Sequence, residues 1–357
     1  MKKLTQFTVA ITGMNSLPEN PAAGISVATC LREAFGERVR IVGLGYDAFD
    51  AGLYLSDYCD AAYLIPYPRF GTEPLVLRLH EIQMMEKINV LIPCLDVELM
   101  GIIGIEDKLL SLGIHTFLPR VNQLTRCYKD RLHELAYIVN VNYPETRPLY
   151  SAQFFNTCTI EGWTFPMVIK GPFCDAKTVY TVEAGIFAYY EIAKDWGVPI
   201  LAQRYIPGEE YNLTAIGDGL GNMIGEVIMK KVALTSKNKA CVGVTTYDEA
   251  LVNIARKIVK ELQWRGPFEL EVMLDANGVY HMIEINPRFP AWIALSQKVG
   301  RNLPALLLEM ILGLKTSPLN EPAVGSYFIR YAHEQLISLN QVECMITYGS
   351  SVVTTKG

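Results

Sequence analysis

No two of the eight cysteines form a CxxC pair, and the five histidines stand at no metal-ligand spacing. The cysteines, at 30, 59, 94, 127, 158, 174, 241 and 344, read as reduced core thiols of a cytoplasmic protein, and zinc is not expected. Long apolar runs are also missing. The greasiest stretch, Leu303 to Leu314, is cut by Pro304 and Glu309 and falls far short of the ~20 residues a bilayer span needs. The start, MKKLTQFTVAITG, is broken by Gln6 and Thr8 and lacks a small-residue cleavage site, so it reads as a strand, not a leader. Positive charge is not in excess. Thirty-two Lys and Arg against 37 Asp and Glu give a net charge of −5, which argues against nucleic acid or membrane partners and for a small polar ligand. No serine sits in a nucleophile elbow, so no protein nucleophile is expected.

What is present is a chain of 357 residues, half of them hydrophobic, long enough for two or three domains. The first ~120 residues alternate short apolar runs with helical patterns, the signature of a parallel sheet with crossover helices. Strands are expected at Thr8 to Thr12, Val39 to Leu44 and Asn89 to Pro93, and helices at Ile25 to Phe35 and Leu75 to Lys87. The turn GMNSLPENPAAG after the first strand lacks GxGxxG spacing, so this unit reads as Rossmann-like without a nucleotide of its own. One helix is expected from about Asn122 to Asn140, then a linker at Pro144 to Pro148. An α+β unit follows, with strands at Phe165 to Lys170, Ile200 to Ile206, Tyr211 to Ile216 and Met223 to Val232, and helices at Glu183 to Asp195 and Glu249 to Gln263. Thr235 to Thr246 is polar and reads as a mobile loop.

The most informative stretch is Phe268 to Arg288, FELEVMLDANGVYHMIEINPR. Both arms alternate with period two around Asn277-Gly278, the pair favoured in a two-residue type I′ turn. Such a turn pairs Glu271 with Glu284, Glu269 with Asn286 and Met273 with Met282. Leu270, Val272, Leu274, Ile283 and Ile285 then share the apolar face, together with His281 as a core histidine. Opposed like charges are destabilising. Three carboxylates, an amide and a following Arg288 are the composition of a magnesium and phosphate site, since hard oxygen donors suit Mg²⁺ bound jointly with substrate phosphates. Glu269 is expected as a simple outer-edge residue, and Lys230 and Lys231 as solvated lysines.

The order of a lysine-ended strand, a Pro-Gly-bounded strand with a following glutamate, and paired acids closing on EINPR resembles the ATP-grasp superfamily, most of all short relatives of the carbamoyl phosphate synthase large subunit and biotin carboxylase. The resemblance covers about Lys129 to Gly313. It implies a Rossmann-like pre-ATP-grasp domain at 1–120 and an ATP-grasp domain at 121–357, with a lid subdomain at about 145–205 and a C-terminal subdomain at about 206–357 clasping ATP between them. Carried over residue by residue, it implies Glu271, Glu284 and Asn286 as ligands of two Mg²⁺ ions, with Mn²⁺ as a substitute. It implies Arg288 on the transferred phosphoryl group and Lys129 and Lys170 on the phosphates. Gln203, Arg204, Tyr205 and Ile206 become the strand whose main chain reads adenine, and Glu210 the acid on the ribose. Lys129 departs from the family pattern, because its acidic neighbour, Asp130, follows rather than precedes it. The loop after Lys170, GPFCDAKTVYT, has one glycine where those relatives carry a glycine-rich lid. Asp175 and Lys177 there read as solvated charges.

The resemblance implies a ligase in which Mg-ATP phosphorylates a small-molecule or peptide carboxylate and an amine displaces phosphate. Bicarbonate activation, and a protein that binds ATP without ligating anything, are the alternatives; a biotin carrier and a second synthase half are not expected. A homodimer stays open.

Overall fold

The computed structural model describes residues 6–172, 175–316 and 318–351. Four short runs without a charged residue on their buried positions pair side by side at the start of the chain. These are β1 (Phe7–Ile11), β2 (Val39–Gly45), β3 (Ala61–Leu64) and β4 (Val90–Ile92), all parallel, in the order β3-β2-β1-β4. Both faces are covered, as parallel sheets require. Helices Gly24–Phe35 and Thr72–Glu86 supply two of the crossovers. The strand β3 was not expected from the sequence, since four residues, Ala-Ala-Tyr-Leu, carry no periodicity. The turn after β1 folds back on itself: Gly24 N donates to Gly13 O at 3.1 Å, and a side chain on Gly24 would collide with Thr12 O at 2.3 Å.

The single helix expected from Asn122 to Asn140 is two, Val121–Arg126 and Leu132–Val139. The break carries Lys129 inward to the cavity described below, a tertiary demand that helical propensity does not register. A second, antiparallel sheet follows, from β5 (Thr146–Leu149), β6 (Met167–Lys170), β7 (Ala176–Val179) and β8 (Ile200–Arg204), in the order β5-β8-β6-β7. Helix Val182–Trp196 covers it, its N-terminus capped by the Thr181 hydroxyl.

The third sheet contains β9 (Gly208–Asp218), β10 (Met223–Leu234), β11 (Ala240–Thr246), β12 (Arg265–Asp275), β13 (Tyr280–Asn286) and β14 (Tyr327–Ile329), ordered β13-β12-β9-β10-β11-β14. Thr235 to Thr246 is therefore not a mobile loop throughout: Ala240 to Thr246 is a strand paired with both β10 and β14. The expected stripe of helix Glu249–Leu262, with Leu251, Ala255, Ile258, Val259 and Leu262, is buried against this sheet. Helix Leu303–Ile311 packs into one core with β1, β2 and the first crossover helix. Finally β15 (Ser350–Ser351) adds antiparallel to β3, so the chain's end returns to the first sheet.

The hairpin of β12 and β13 has the expected acidic pairs by a different route. Only Gly278 has positive φ (76°), whereas a type I′ turn needs it at both central residues. Asp275 N instead bonds Val279 O at 3.0 Å, which closes a three-residue loop, Ala276-Asn277-Gly278. Leu274 then faces Tyr280, Met273 faces His281 and Val272 faces Met282. A β-bulge at Ile283 absorbs the one-residue offset, so Glu271 still opposes Glu284 and Glu269 still opposes Asn286. The bulge also changes faces. Met282 is in the core, while Met273 and Ile283 line the cavity. His281 is not a core histidine; its Nε2 lies 3.0 Å from Asp275 Oδ2 at the loop.

Candidate active site

A cavity of about 850 Å³ lies between the second and third sheets. Its walls include Lys129, Lys170, Gln203, Arg204, Tyr205, Ile206, Glu210, Glu271, Glu284, Asn286 and Arg288, the residues to which the resemblance assigns roles.

At one corner the acids of β12 and β13 meet side chains from β9 and β10. Asn286 Nδ2 donates to Glu269 Oε2 and to Glu271 Oε1, both at 2.9 Å. With the amide nitrogen held by two carboxylates, the oxygen is the end left to meet a cation. Glu269 is not an outer-edge residue: it is 4% exposed and also accepts from Asn212 Nδ2 at 2.6 Å and Trp292 Nε1 at 2.7 Å. Burial raises its pKa, and the charge of Glu271 raises it further. Lys231 is not solvated either. Its buried ammonium sits between Glu210 and Glu271, 3.3 Å from Glu271 Oε2. Burial would lower its pKa, but the two acids outweigh burial and hold it above the ordinary lysine value. Glu271 is held well below the usual carboxylate range, Lys231 and Lys239 overcoming the opposing effect of burial. Lys230 is half-buried on the wall of the same cavity, paired with Glu209 at 2.5 Å.

Opposite stand two buried lysines. Lys129 reaches Glu284 Oε1 at 3.3 Å, an acidic partner that comes across space. Lys170 is 5% exposed, and burial, with Lys129 close by, draws its pKa down to about 8. The strand end expected to meet phosphate is thus buried at the cavity wall. Arg288 puts Nε and Nη2 on one oxygen of Asp96, at 2.9 and 2.6 Å. Asp96 follows β4, the end of a parallel sheet where ligand-facing residues collect, and that placement is the signal by which sequence reading could have found it.

The strand Gln203 to Arg204 and the segment through Ile206 pass along the cavity with their side chains engaged elsewhere. Gln203 Nε2 donates to Thr146 Oγ1 at 2.9 Å, and Arg204 pairs with Glu145 and lies over the Trp163 ring. Asp175 accepts from Trp196 Nε1 at 2.9 Å, and Lys177 pairs with Glu191, so neither charge is free; Cys174 lies outside the described residues.

Two carboxylates and one amide oxygen, with phosphates to complete the shell, fit Mg²⁺, which keeps waters and needs few protein ligands. Among the described residues no group of three or more His, Cys, Asp or Glu could hold a metal without such help. The seven described cysteines are unpaired, and no helix among the described residues is long and apolar enough to cross a membrane.

Residues 197–333 match a family model described as ATP-grasp in the biosynthetic pathway with Ter operon. The carbamoyl phosphate synthase large chain of Clostridium acetobutylicum is 27% identical over 125 residues, 32% of this chain and only 12% of that protein. The biotin carboxylase domain of Hydrogenobacter thermophilus 2-oxoglutarate carboxylase, solved with MgADP, ADP and bicarbonate, superposes with a TM-score of 0.68 at 16% identity, covering 90% of this chain and 73% of that one. An L-amino acid ligase from Bacillus licheniformis superposes with a TM-score of 0.63 at 16% identity, covering 86% and 74%.

Proposed function

We propose that this chain, an ATP-grasp protein, is a Mg-ATP-dependent ligase that activates a substrate carboxylate as an acyl phosphate for attack by an amine. The observation that carries this is the opposition of Glu271 and Glu284 beside Asn286, facing buried Lys129 and Lys170 across one cavity. A protein that only held ATP would need adenine and ribose contacts, not paired acids with a phosphoryl clamp.

On this reading residues 1–120 form the pre-ATP-grasp unit and 121–357 the ATP-grasp unit. Lys129 and Lys170 neutralise the phosphates, and Glu210, released from Lys231, accepts the ribose hydroxyls. Met273 and Ile283 offer adenine an apolar wall. Glu271, Glu284 and the Asn286 oxygen would hold Mg²⁺, which when bound offsets phosphate charge during transfer. A substrate carboxylate oxygen attacks the γ-phosphorus and ADP leaves. The amine then attacks the acyl carbon, phosphate leaves, and the amine nitrogen gives up a proton. Arg288 stabilises the transferred group. Catalysis is by positioning and charge.

ADP and phosphate release, screened against carboxylates with and without amines, tests the reading. Glu284→Gln should abolish release yet leave nucleotide binding measurable. Release that survives in this variant overturns the metal assignment, and release that needs bicarbonate alone replaces the ligase with a bicarbonate-activating enzyme.

A further inference from the structure

A second cavity of about 200 Å³ opens beside the acidic corner and shares Asp96, Glu271, Asn286 and Arg288 with the first. At roughly 30 Å³ per water in the liquid, it has room for about seven water-sized groups, the scale of a small metabolite. Three polar atoms on its walls are buried without a hydrogen-bond partner: Asp96 Oδ1, Asn212 Oδ1 and Arg330 Nε. Such atoms are uncommon and costly, about 1–3 kcal/mol each.

Each has a defined chemistry. Asn212 is 1% exposed, and its Nδ2 is spent on Glu269, so only its oxygen addresses the cavity. Asp96 gives Oδ2 to Arg288, which leaves Oδ1 as an acceptor. Arg330 has no acid partner among the described residues; its contacts are a 3.5 Å approach to Ala291 O and the ring of Phe328. Two acceptors thus ask for a donor, and a guanidinium asks for an anion. A simple anion such as bicarbonate would satisfy Arg330, but its single O–H could donate to only one of the two acceptors.

Resting on the ligase reading, we infer that the carboxylate substrate is a small amino acid, its carboxylate toward Arg330 and Arg288 and its ammonium toward Asp96 Oδ1 and Asn212 Oδ1. Adjacency to the transfer corner puts that carboxylate beside the phosphates. Removing the amine leaves two buried acceptors unpaired, a loss on the scale by which polar sites reject deleted groups.

The test measures ADP release with Mg-ATP for each of the twenty amino acids, for the deamino analogue of each responder, and for bicarbonate. In parallel, calorimetry measures amino acid binding to protein loaded with Mg²⁺ and a non-hydrolysable ATP analogue. A small amino acid should respond, with kcat/KM about 100-fold above its deamino analogue. Arg330→Met should raise KM for that amino acid about 30-fold while nucleotide binding, which reports folding, is kept, and Arg330→Lys should recover part of the loss. Equal turnover with amine-free carboxylates overturns the inference and leaves the ligase standing. Amino acid binding that Arg330→Met abolishes, with no turnover even when amines are supplied, overturns the substrate assignment with the ligase and leaves only an amino acid site at Arg330. Neither binding nor turnover overturns the inference and leaves the ligase to the wider carboxylate screen.

Discussion

Lys231 holds its ammonium 3.3 Å from Glu271 Oε2, with its side chain only 7% exposed and Glu210 on its other side. The lysine is what allows two acids to share this wall before any cation arrives. Lys231→Met leaves them uncompensated, a change that costs about 3–5 kcal/mol when one partner of a buried ion pair is removed. In the variant the carboxylates' pKa values rise in the folded state, so the penalty is present at pH 7.5 and shrinks as they take up protons. Thermal melts should show a large drop in Tm at pH 7.5, a smaller one at pH 5, and partial recovery with Mg-ATP. A melt unchanged at pH 7.5 contradicts this.

Lys170 titrates where experiments are done. Its folded pKa, about 8 against an ordinary 10.5, is lowered by burial and then by Lys129. A lysine so lowered costs stability in full below pH 8, and that cost is relieved as pH rises toward 10.5. Nucleotide phosphates favour the charged form. Binding of Mg-ATP near pH 8 should therefore take up protons, seen as a dependence of calorimetric heat on buffer ionisation enthalpy, and affinity should weaken as pH rises through 8. Lys170→Met should bind more weakly and lose this component of the uptake; an unchanged uptake excludes Lys170 as its source.

Glu269 holds Asn286 by its amide nitrogen and is not among the residues that line the larger cavity. Glu269→Gln turns one acceptor oxygen into a donor amid Asn212, Asn286 and Trp292, all of which already donate. The mismatch should cost about 1–3 kcal/mol of stability. It should lower kcat well over tenfold while KM for ATP stays within a few-fold, the mark of a residue that sets another's geometry. Equal loss in kcat and nucleotide affinity would instead make it a direct ligand.

Ile283 reaches the cavity only because of the bulge. Ile283→Ala should weaken nucleotide binding by about 1–2 kcal/mol through lost apolar contact, with kcat little changed. Deleting Ala276 should do nothing comparable: it shortens the loop to Asn277-Gly278 and leaves Asp275 facing Val279, so turnover should persist. A collapse of turnover on that deletion would mean the loop, not the ladder, sets the register.

The hairpin shows how far sequence reading reaches. Its period-two pattern was enough to pair Glu271 with Glu284, yet a three-residue loop and a bulge offset one another, so the right pairing came with Met282 and Ile283 on the wrong faces. Local pattern reports neither a bulge nor burial imposed from afar. Glu269 and Lys231 were misread for that reason: what buries them arrives from Asn212, Trp292 and Glu210, remote in sequence. The long amphipathic helix Glu249–Leu262 was legible because its burial pattern is written in its own period. β3 and the broken helix around Lys129 were not, being decided by neighbours.

The turn between β10 and β11 touches two walls at once. Thr235 and Ser236 make three hydrogen bonds to Glu19, at 3.0, 2.9 and 2.6 Å, and toward the second sheet Asn238 donates to Ala176 O at 3.1 Å and Lys237 makes an exposed pair with Asp175 at 3.4 Å. The β10–β11 turn therefore ties the first unit to the second sheet at the mouth of the cavity, so on the proposed reading a swing of the second sheet away from it would part Asn238 from Ala176 and open a way in for nucleotide.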